Sequence, residues 1–528
     1  MATPSSTRPP PTPRTPGMLS RAGAGVVAAG LVLGLGELLA ATTGPDASPY
    51  FAVGATTVDR APAWAREFAI GTFGTADKPA LFVGMSVLLA TCAVVAGLIE
   101  RPRRPYGGAL LAALGAVGVY AVLNRPGATA SAAVPTVIAV VAGMLFLQFA
   151  IRVLWTPRRG GGPSSSSGID RRRFLAVLGA GAAVAVAAGA AGRYLGDRLA
   201  QVLEDRSRFR VPLAADAAPV VPSGSDLTTG PRAVPGATSF VTTNRDFYRI
   251  DTALQVPRLT TADWRLRIHG MVDGETTLTW DDLAGFEVVE RLVTLTCVSN
   301  EIGGDLAGNA RWTGYRMSEI LDRVGVRPDA DMLLSTSVDG FTVGTPVAVV
   351  RDGRDALLAV AMNGEPLPLE HGYPARQVVP GLYGYVSATK WVVDWELTRF
   401  DRAQAYWTQR GWAPQGPIRT ASRIDVPAPF ARITAGPVVV AGTAWAQHRG
   451  IGRVEIRVDG GPWQETEPAT EYSADTWRQW RWVWDASPGE HRLEVRAVDG
   501  TGAGQDEQRR PPVPDGATGL HSRTVTVG

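Results

Sequence analysis

Lysine occurs only twice in the 528 residues, at Lys78 and Lys390, and cysteine only twice, at Cys92 and Cys297. Two cysteines, one of them inside an apolar run, exclude a disulfide framework as the source of stability. Histidine is confined to His269, His371, His448, His491 and His521, so the N-terminal half has none. That absence excludes a bis-histidine haem between helices there. An excess of one charge is also lacking: 52 Lys and Arg against 49 Asp and Glu leave a formal net charge of +3. No nucleic-acid partner is expected on that balance. With lysine so scarce, Lys390 stands out from an arginine-rich background.

Long apolar runs, by contrast, are abundant. Five of them, Ala22 to Thr43, Pro79 to Ile99, Tyr106 to Leu123, Ala132 to Leu154 and Phe174 to Leu195, approach the ~20 residues a helix needs to cross a bilayer. Backbone amides in hydrocarbon must be satisfied within their own segment, so such runs read as transmembrane helices. Arg8, Arg14 and Arg21 precede the first run, Arg101, Arg103 and Arg104 follow the second, and Arg158, Arg159 and Arg171 to Arg173 follow the fourth. Positive charge marks cytoplasmic loops. The expected location is therefore the cytoplasmic membrane, multi-pass, with everything after about Gly196 on the extracytoplasmic side.

Three features of this half carry two readings each. Asp170-Arg-Arg-Arg-Phe-Leu175 is either ordinary flanking charge or an internal twin-arginine signal of the kind that exports domains already folded around a cofactor. Glu37 is an intramembrane functional carboxyl or a side chain that reaches the headgroups. Val58 to Ile70 is an interfacial amphipathic helix or a solvated loop helix.

Composition divides the whole chain. Residues 1–18, rich in Pro, Thr and Ser, read as a disordered leader, 19–200 as the five-helix membrane domain, and 201–236 as a linker. Short β-like runs then alternate with turns: Trp264 to His269, Val288 to Thr296, Met332 to Val338 and Trp391 to Leu397. Helical pieces at Met317 to Val324 and Arg354 to Ala361 make residues 237–402 an α+β domain. After a second linker at 403–425, regular strands at Gly436 to Trp445, Arg453 to Val458, Thr476 to Trp484 and His491 to Val498 read as a β-sandwich over 426–528.

Chemistry concentrates on Cys297, in Val293-Thr-Leu-Thr-Cys297-Val-Ser-Asn300. It lacks the second cysteine and nearby histidines that a zinc or iron–sulfur site requires. Three readings stand: a buried core thiol, a nucleophile served by a base such as His371, or the single protein ligand of a metal already chelated by an organic cofactor.

Four segments in order go further. Asn244-Arg-Asp-Phe-Tyr248, Leu295-Thr-Cys297-Val-Ser-Asn300, Ala361-Met-Asn-Gly-Glu-Pro-Leu-Pro368 with His371-Gly-Tyr-Pro-Ala-Arg376-Gln-Val-Val-Pro380, and Ser387-Ala-Thr-Lys390-Trp391 closely resemble the sulfite oxidase family of molybdenum enzymes. The terminal sandwich is similar to that family's dimerisation domain, so the resemblance spans about residues 236 to 528. Behind the five-helix membrane domain read from hydropathy, it implies an α+β molybdopterin-binding domain of sulfite oxidase type and an immunoglobulin-like β-sandwich. It implies the molybdenum cofactor, with Cys297 as the metal's sulfur ligand. Asn300, His371, Arg376, Ser387 and Lys390 would hold the pterin and its phosphate, and Asn244 and Tyr248 would border them. Tyr248 and Arg249 would join Cys297 in catalysis.

Two departures qualify the substrate. The family's anion-binding Arg-Asn-His run is replaced here around Arg249-Ile250-Asp251, and an active-site tyrosine falls at Phe341. Both argue against sulfite. Arg249 and Arg311 are replacement charges or partners in surface ion pairs. The family's haem domain has no counterpart, so a separate electron-transfer partner, a cytochrome or a quinone-linked membrane protein, is expected. The expected activity is two-electron oxygen-atom transfer on a small oxyanion, sulfoxide or related small molecule, in a chain that dimerises through the sandwich. The rivals are a sulfoxide reductase fed by a quinol-oxidising membrane partner and a non-catalytic membrane receptor.

Overall fold

The computed structural model describes residues 17–43, 47–73, 76–125, 128–155, 171–195 and 199–528. The chain divides into two compact units, Met1–Arg198 and Leu199–Gly528. The leader, Arg158, Arg159 and Asp170 lie outside the described residues, and with them part of the orientation and export readings.

The first unit is helical: α1 (Met18–Thr43), α2 (Pro49–Arg60), α3 (Ala63–Phe73), α4 (Asp77–Ile99), α5 (Tyr106–Leu123), α6 (Val134–Trp155) and α7 (Arg171–Leu195). Five of these helices are long and apolar enough to cross a membrane. Helix α1 packs against α4, α6 and α7, and small residues bring the backbones together. A methyl group added at Gly25 would lie 2.0 Å from the Ala93 carbonyl oxygen, and one at Gly34 would lie 2.3 Å from that of Ala185. Glu37 accepts a hydrogen bond from the Ser48 hydroxyl at 2.7 Å, so its carboxylate has a polar partner within the unit. The stretch Val58 to Ile70 is not one helix. Pro62 cannot donate a backbone N–H and disfavours helical geometry before it, and Ala61 is accordingly extended at φ −61°, ψ 130° between α2 and α3.

The second unit opens with α8 (Leu199–Arg208), inside the stretch read as linker. Val202 is fully buried, and Asp205 accepts from the Thr261 amide and hydroxyl and from the Tyr373 hydroxyl. The amphipathic pattern of this short helix outweighs the linker composition that follows it. Strands β1 (Arg265–Gly270), β2 (Thr276–Thr279), β3 (Val288–Thr296), β4 (Ala307–Arg316), β5 (Met332–Ser337), β6 (Thr342–Pro346), β7 (Leu357–Met362), β8 (Glu365–Pro366), β9 (Arg376–Val378) and β10 (Val392–Thr398) form two sheets. One runs β2-β1-β10-β5-β6 and the other β3-β4-β7-β8, with β9 also on β7. Helix α9 (Met317–Val324) buries Met317, Ile320, Leu321 and Val324, the i, i+3, i+4, i+7 stripe of a core-facing helix. The helix expected at Arg354 to Ala361 is instead β7, every residue of which is buried. A central strand buried on both faces loses the alternation that distinguishes strand from helix.

The terminal sandwich comprises β11 (Ala421–Val426), β12 (Arg432–Ile433), β13 (Gly436–Trp445), β14 (Ile451–Val458), β15 (Gln464–Glu465), β16 (Glu467–Pro468), β17 (Arg478–Ala486), β18 (Gly489–Asp499) and β19 (His521–Val527). Sheets β11-β13-β17-β16 and β12-β19-β18-β14-β15 enclose a core that includes Val440, Ile456, Trp480 and Val495. Strand β11 begins within residues 403–425, the second expected linker. That stretch also holds Tyr406, Trp407 and Trp412, packed ring to ring, an aromatic density that favours burial over a free linker.

Candidate functional site

Strand β3 carries the site, and the sandwich holds β3. Its outer edge is closed by the Thr294 amide donating to the Asp475 carbonyl at 3.0 Å. Gln447 Nε2 donates to the Thr294 carbonyl at 3.0 Å and the Thr296 hydroxyl at 2.9 Å, and the Trp477 amide donates to Thr294 Oγ1 at 2.8 Å. Beyond β3 the loop 297–306 is closed by the Cys297 amide on the Leu306 carbonyl at 2.9 Å. Arg423 from β11 donates to the Gly304 carbonyl at 2.7 Å. Gly303, at φ +78°, lies so close to the His521 ring that an added methyl carbon would sit 2.2 Å from it. Only glycine meets both the left-handed backbone and that contact.

Cys297 lies in a cleft of about 130 Å³ together with Tyr248, His371, Arg376 and Lys390. Burial pushes its thiol pKa up, and the neighbouring Ser299 amide and hydroxyl oppose the rise. Donors beside sulfur stabilise the thiolate, the form that binds metal. Tyr248 stacks on Phe247 at 5.1 Å, and burial, reinforced by the Cys297 charge, keeps its phenol protonated. Tyr248 therefore presents an O–H beside the sulfur.

Arg376 is 4% exposed. Its guanidinium donates to the His371 carbonyl at 3.1 Å and the Gln377 carbonyl at 3.4 Å, and lies 4.9 Å over the Trp312 ring. Among the described residues no carboxylate forms an ion pair with it, and burial pulls its pKa down to about 10. A buried cation without a counter-charge is costly. His371 is held neutral, pushed down to about 4 by burial and then by Arg376 and Lys390. Burial also lowers Lys390 to about 8, against the pull of Asp251, whose carboxylate lies 2.9 Å from Lys390 Nζ.

Five other expected residues do not line the cleft. Asn300 Oδ1 accepts from the Leu306 amide at 2.9 Å, shaping the Cys297 loop. The Ser387 hydroxyl donates to the Leu382 and Tyr383 carbonyls. Asn244 joins the Met362 carbonyl and the Asn363 amide, while its backbone hydrogen-bonds the His371 ring. Arg249 turns to Asp251 at 2.8 Å, and Arg311 is taken up by Glu290 at 2.7 Å. Conversely, the sequence reading passed over Ser299, Tyr385, Trp391, Trp407 and Trp412, which line the cleft. Ser299 was findable from its place two residues after the cysteine. Trp407 and Trp412 were hidden by the linker assignment.

Among the described residues no group of three His, Cys, Asp or Glu side chains could hold a metal. One thiolate beside a buried, uncompensated guanidinium suits a metal that arrives chelated by an anionic organic group. Residues 253–407 match the family described as oxidoreductase molybdopterin binding domain. The chain is 30% identical to mitochondrial sulfite oxidase of Rattus norvegicus over 298 residues, 46% of this chain and 53% of the rat protein. It is 32% identical to the uncharacterized oxidoreductase YuiH of Bacillus subtilis over 153 residues, 29% of this chain and 74% of YuiH. The chain belongs to the sulfite oxidase family of molybdopterin oxidoreductases. Its cofactor is molybdenum bound to molybdopterin, and Arg376, Cys297 and Ser299 form surroundings that fit it. The chain spans 53–56% of the length of the rat and Mus musculus sulfite oxidases it matches. Among solved structures, the sulfane dehydrogenase SoxCD from Paracoccus pantotrophus matches with 26% identity and TM-score 0.49, over 55% of this chain and 82% of that one.

Proposed function

We propose that this chain is a membrane-anchored oxidoreductase whose catalytic half faces away from the cytoplasm and transfers an oxygen atom to or from a small oxyanion, sulfoxide or related molecule. The observation that carries this reading is the pairing, in one cleft, of the Cys297 sulfur with a buried guanidinium that has no carboxylate partner among the described residues. The bound cofactor supplies a metal that changes oxidation state by two electrons and exchanges oxygen. The chain supplies the rest. Cys297 ligates the metal as a thiolate and Ser299 holds its charge on sulfur. Arg376 and Lys390 meet the anionic pterin phosphate, and neutral His371 offers a ring nitrogen. Asn244, Asn300 and Ser387 act by fixing the backbone around the pterin. Tyr248, its buried phenol protonated, would offer an O–H to the substrate's oxygen, and the aromatic wall would keep water from the cleft.

Electrons pass to or from a separate cytochrome or quinone-linked membrane protein, and the sandwich, read as immunoglobulin-like, serves a homodimer. The reductive direction, as a sulfoxide reductase fed by a quinol-oxidising partner, is favoured by Ile250 and Phe341 on the cleft wall, which replace groups suited to anions.

The test is molybdenum and pterin content of the purified full chain, wild type against Cys297→Ser. Stoichiometric metal in the wild type, with loss of thiolate-to-metal absorption and of turnover in the variant, is expected. A folded wild type that never takes up molybdenum would favour the non-catalytic receptor.

A further inference from the structure

Helix α8 begins at Leu199, four residues after Leu195 ends α7, the last of the apolar helices. Its Val202, Asp205 and Arg206, with Phe209 just beyond its end, stand at i, i+3, i+4 and i+7, one face of a helix. All four engage the segment from Pro366 to Tyr373. Val202 is buried in one cluster with Leu367, Tyr373 and Phe247. Arg206 donates to the Pro366 carbonyl at 2.7 Å and the Leu367 carbonyl at 2.8 Å. Asp205 Oδ2 accepts from the Tyr373 hydroxyl at 2.7 Å, and Phe209 meets the Tyr373 ring edge-on at 6.3 Å. Burial, and then the bond to Asp205, push the Tyr373 phenol up, so it stays a donor.

The carbonyls of the same segment hold the cations of the cleft. Leu369 accepts from the Trp391 indole at 2.9 Å, Glu370 from Lys390 Nζ at 3.0 Å, and His371 from Arg376 Nη1 at 3.1 Å. Gly372, at φ +110°, is packed so closely that an added methyl carbon would lie 3.0 Å from Arg376 Cβ and 3.1 Å from Lys390 Cβ. A turn stacked this tightly passes a shift of Tyr373 on to both cations, because a close-packed interior transmits strain.

We propose that α8 is a positioning element of the cofactor pocket, and that through the Asp205–Tyr373 pair it sets His371, Arg376 and Lys390 at the spacing an anionic pterin phosphate requires. The inference rests on the placing of those three residues around the pterin. It gives the helix that follows the membrane unit in sequence a part in holding the metal.

The experiment uses the full chain in detergent, loaded with cofactor, and follows the molybdenum lost during dialysis beside the thermal midpoint. Tyr373→Phe removes only the hydroxyl. Asp205→Leu removes the bonds to Tyr373 and Thr261, whereas Asp205→Asn can keep them: its amide oxygen takes the place of Oδ2 before the Thr261 amide and the Tyr373 hydroxyl, and its NH2 donates to the Thr261 hydroxyl. Val454→Ala, in the separate core of the sandwich, is the control that lowers the midpoint alone. Tyr373→Phe and Asp205→Leu are expected to lose molybdenum about fivefold faster than wild type or more. Asp205→Asn should lose it at the wild-type rate, and Val454→Ala should keep it despite a lower midpoint. Retention that follows the midpoint through all four variants overturns the proposal and leaves α8 a structural clasp. If Asp205→Leu does not fold, Tyr373→Phe decides alone, and retention equal to wild type overturns the proposal. Arg376→Leu separates the two levels. Metal fully retained there removes the pocket reading and the inference with it, while metal lost there and kept in Tyr373→Phe overturns the inference alone.

Discussion

Two buried cations of one cleft are treated in opposite ways. Arg376 meets carbonyl oxygens and an aromatic face, and among the described residues no carboxylate pairs with it. Lys390 shares Asp251 with Arg249. Folding alone would favour neutralising both buried ones, Arg376 and Lys390, since a buried unpaired charge destabilises. The unpaired one is thus the one that needs an anion from outside the chain. The paired ones already hold a counter-charge, so each offers an incoming anion less than Arg376 does.

The difference can be broken most severely at Arg376. Arg376→Leu should leave the cofactor-free protein as stable as wild type or more so, because it removes an uncompensated charge. Losing a charge-assisted contact of about 1.5–3 kcal/mol should weaken cofactor retention roughly 10- to 100-fold. Molybdenum retained after dialysis, read alongside the thermal midpoint, checks both signs. A variant that keeps its metal and loses stability would make Arg376 a structural residue only.

How much of this was legible in the sequence depends on range. The five apolar helices could be read because hydropathy over about 20 residues is a local signal. Strand β3 could be read because five of its nine residues are Val or Thr, and β18 because Ser487-Pro-Gly489 and Asp499-Gly500 bound it. The residues Cys297, Tyr248, His371, Arg376 and Lys390 were found by motif, and the fold brings them to one cleft. What stayed hidden were contacts between distant segments. Nothing near Thr294 announces that Gln447 and Trp477 will clamp it, and nothing near Gly303 announces His521. The β7 misreading had the same origin, because burial on both faces is a property of the sheet and not of the six residues themselves.

The Cys297 loop leans on the sandwich through His521, and acid should weaken that support. Its Nδ1 accepts from the Ile424 amide at 2.9 Å, so a proton there would set donor against donor. Burial, then Arg523 and Arg423, lower its pKa from 6.5 to about 3. The unfolded chain therefore takes up this proton first as pH falls. The contribution is fully present above pH 6.5 and is lost on the way down towards pH 3, at roughly 1.4 kcal/mol per pH unit. Urea midpoints of the full chain in detergent, measured from pH 7 to 4.5, should fall more steeply for wild type than for His521→Gln. Parallel curves would mean that His521 does not carry the acid sensitivity of this contact.

The smallest expected effect sharpens the comparison at the shared carboxylate. Arg249 was read from sequence as catalytic, yet its side chain is 43% exposed and points at Asp251. If its charge acted on substrate, Arg249→Ala would reduce turnover by orders of magnitude, as loss of an electrostatic donor does. If it only shares Asp251, Lys390 keeps the carboxylate paired and the loss is that of a half-exposed ion pair, up to about 1 kcal/mol or fivefold. Sulfoxide turnover by Arg249→Ala should stay within that fivefold range. A drop in turnover of a hundredfold would return Arg249 to the reaction and make it, like Arg376, a cation that acts on what arrives.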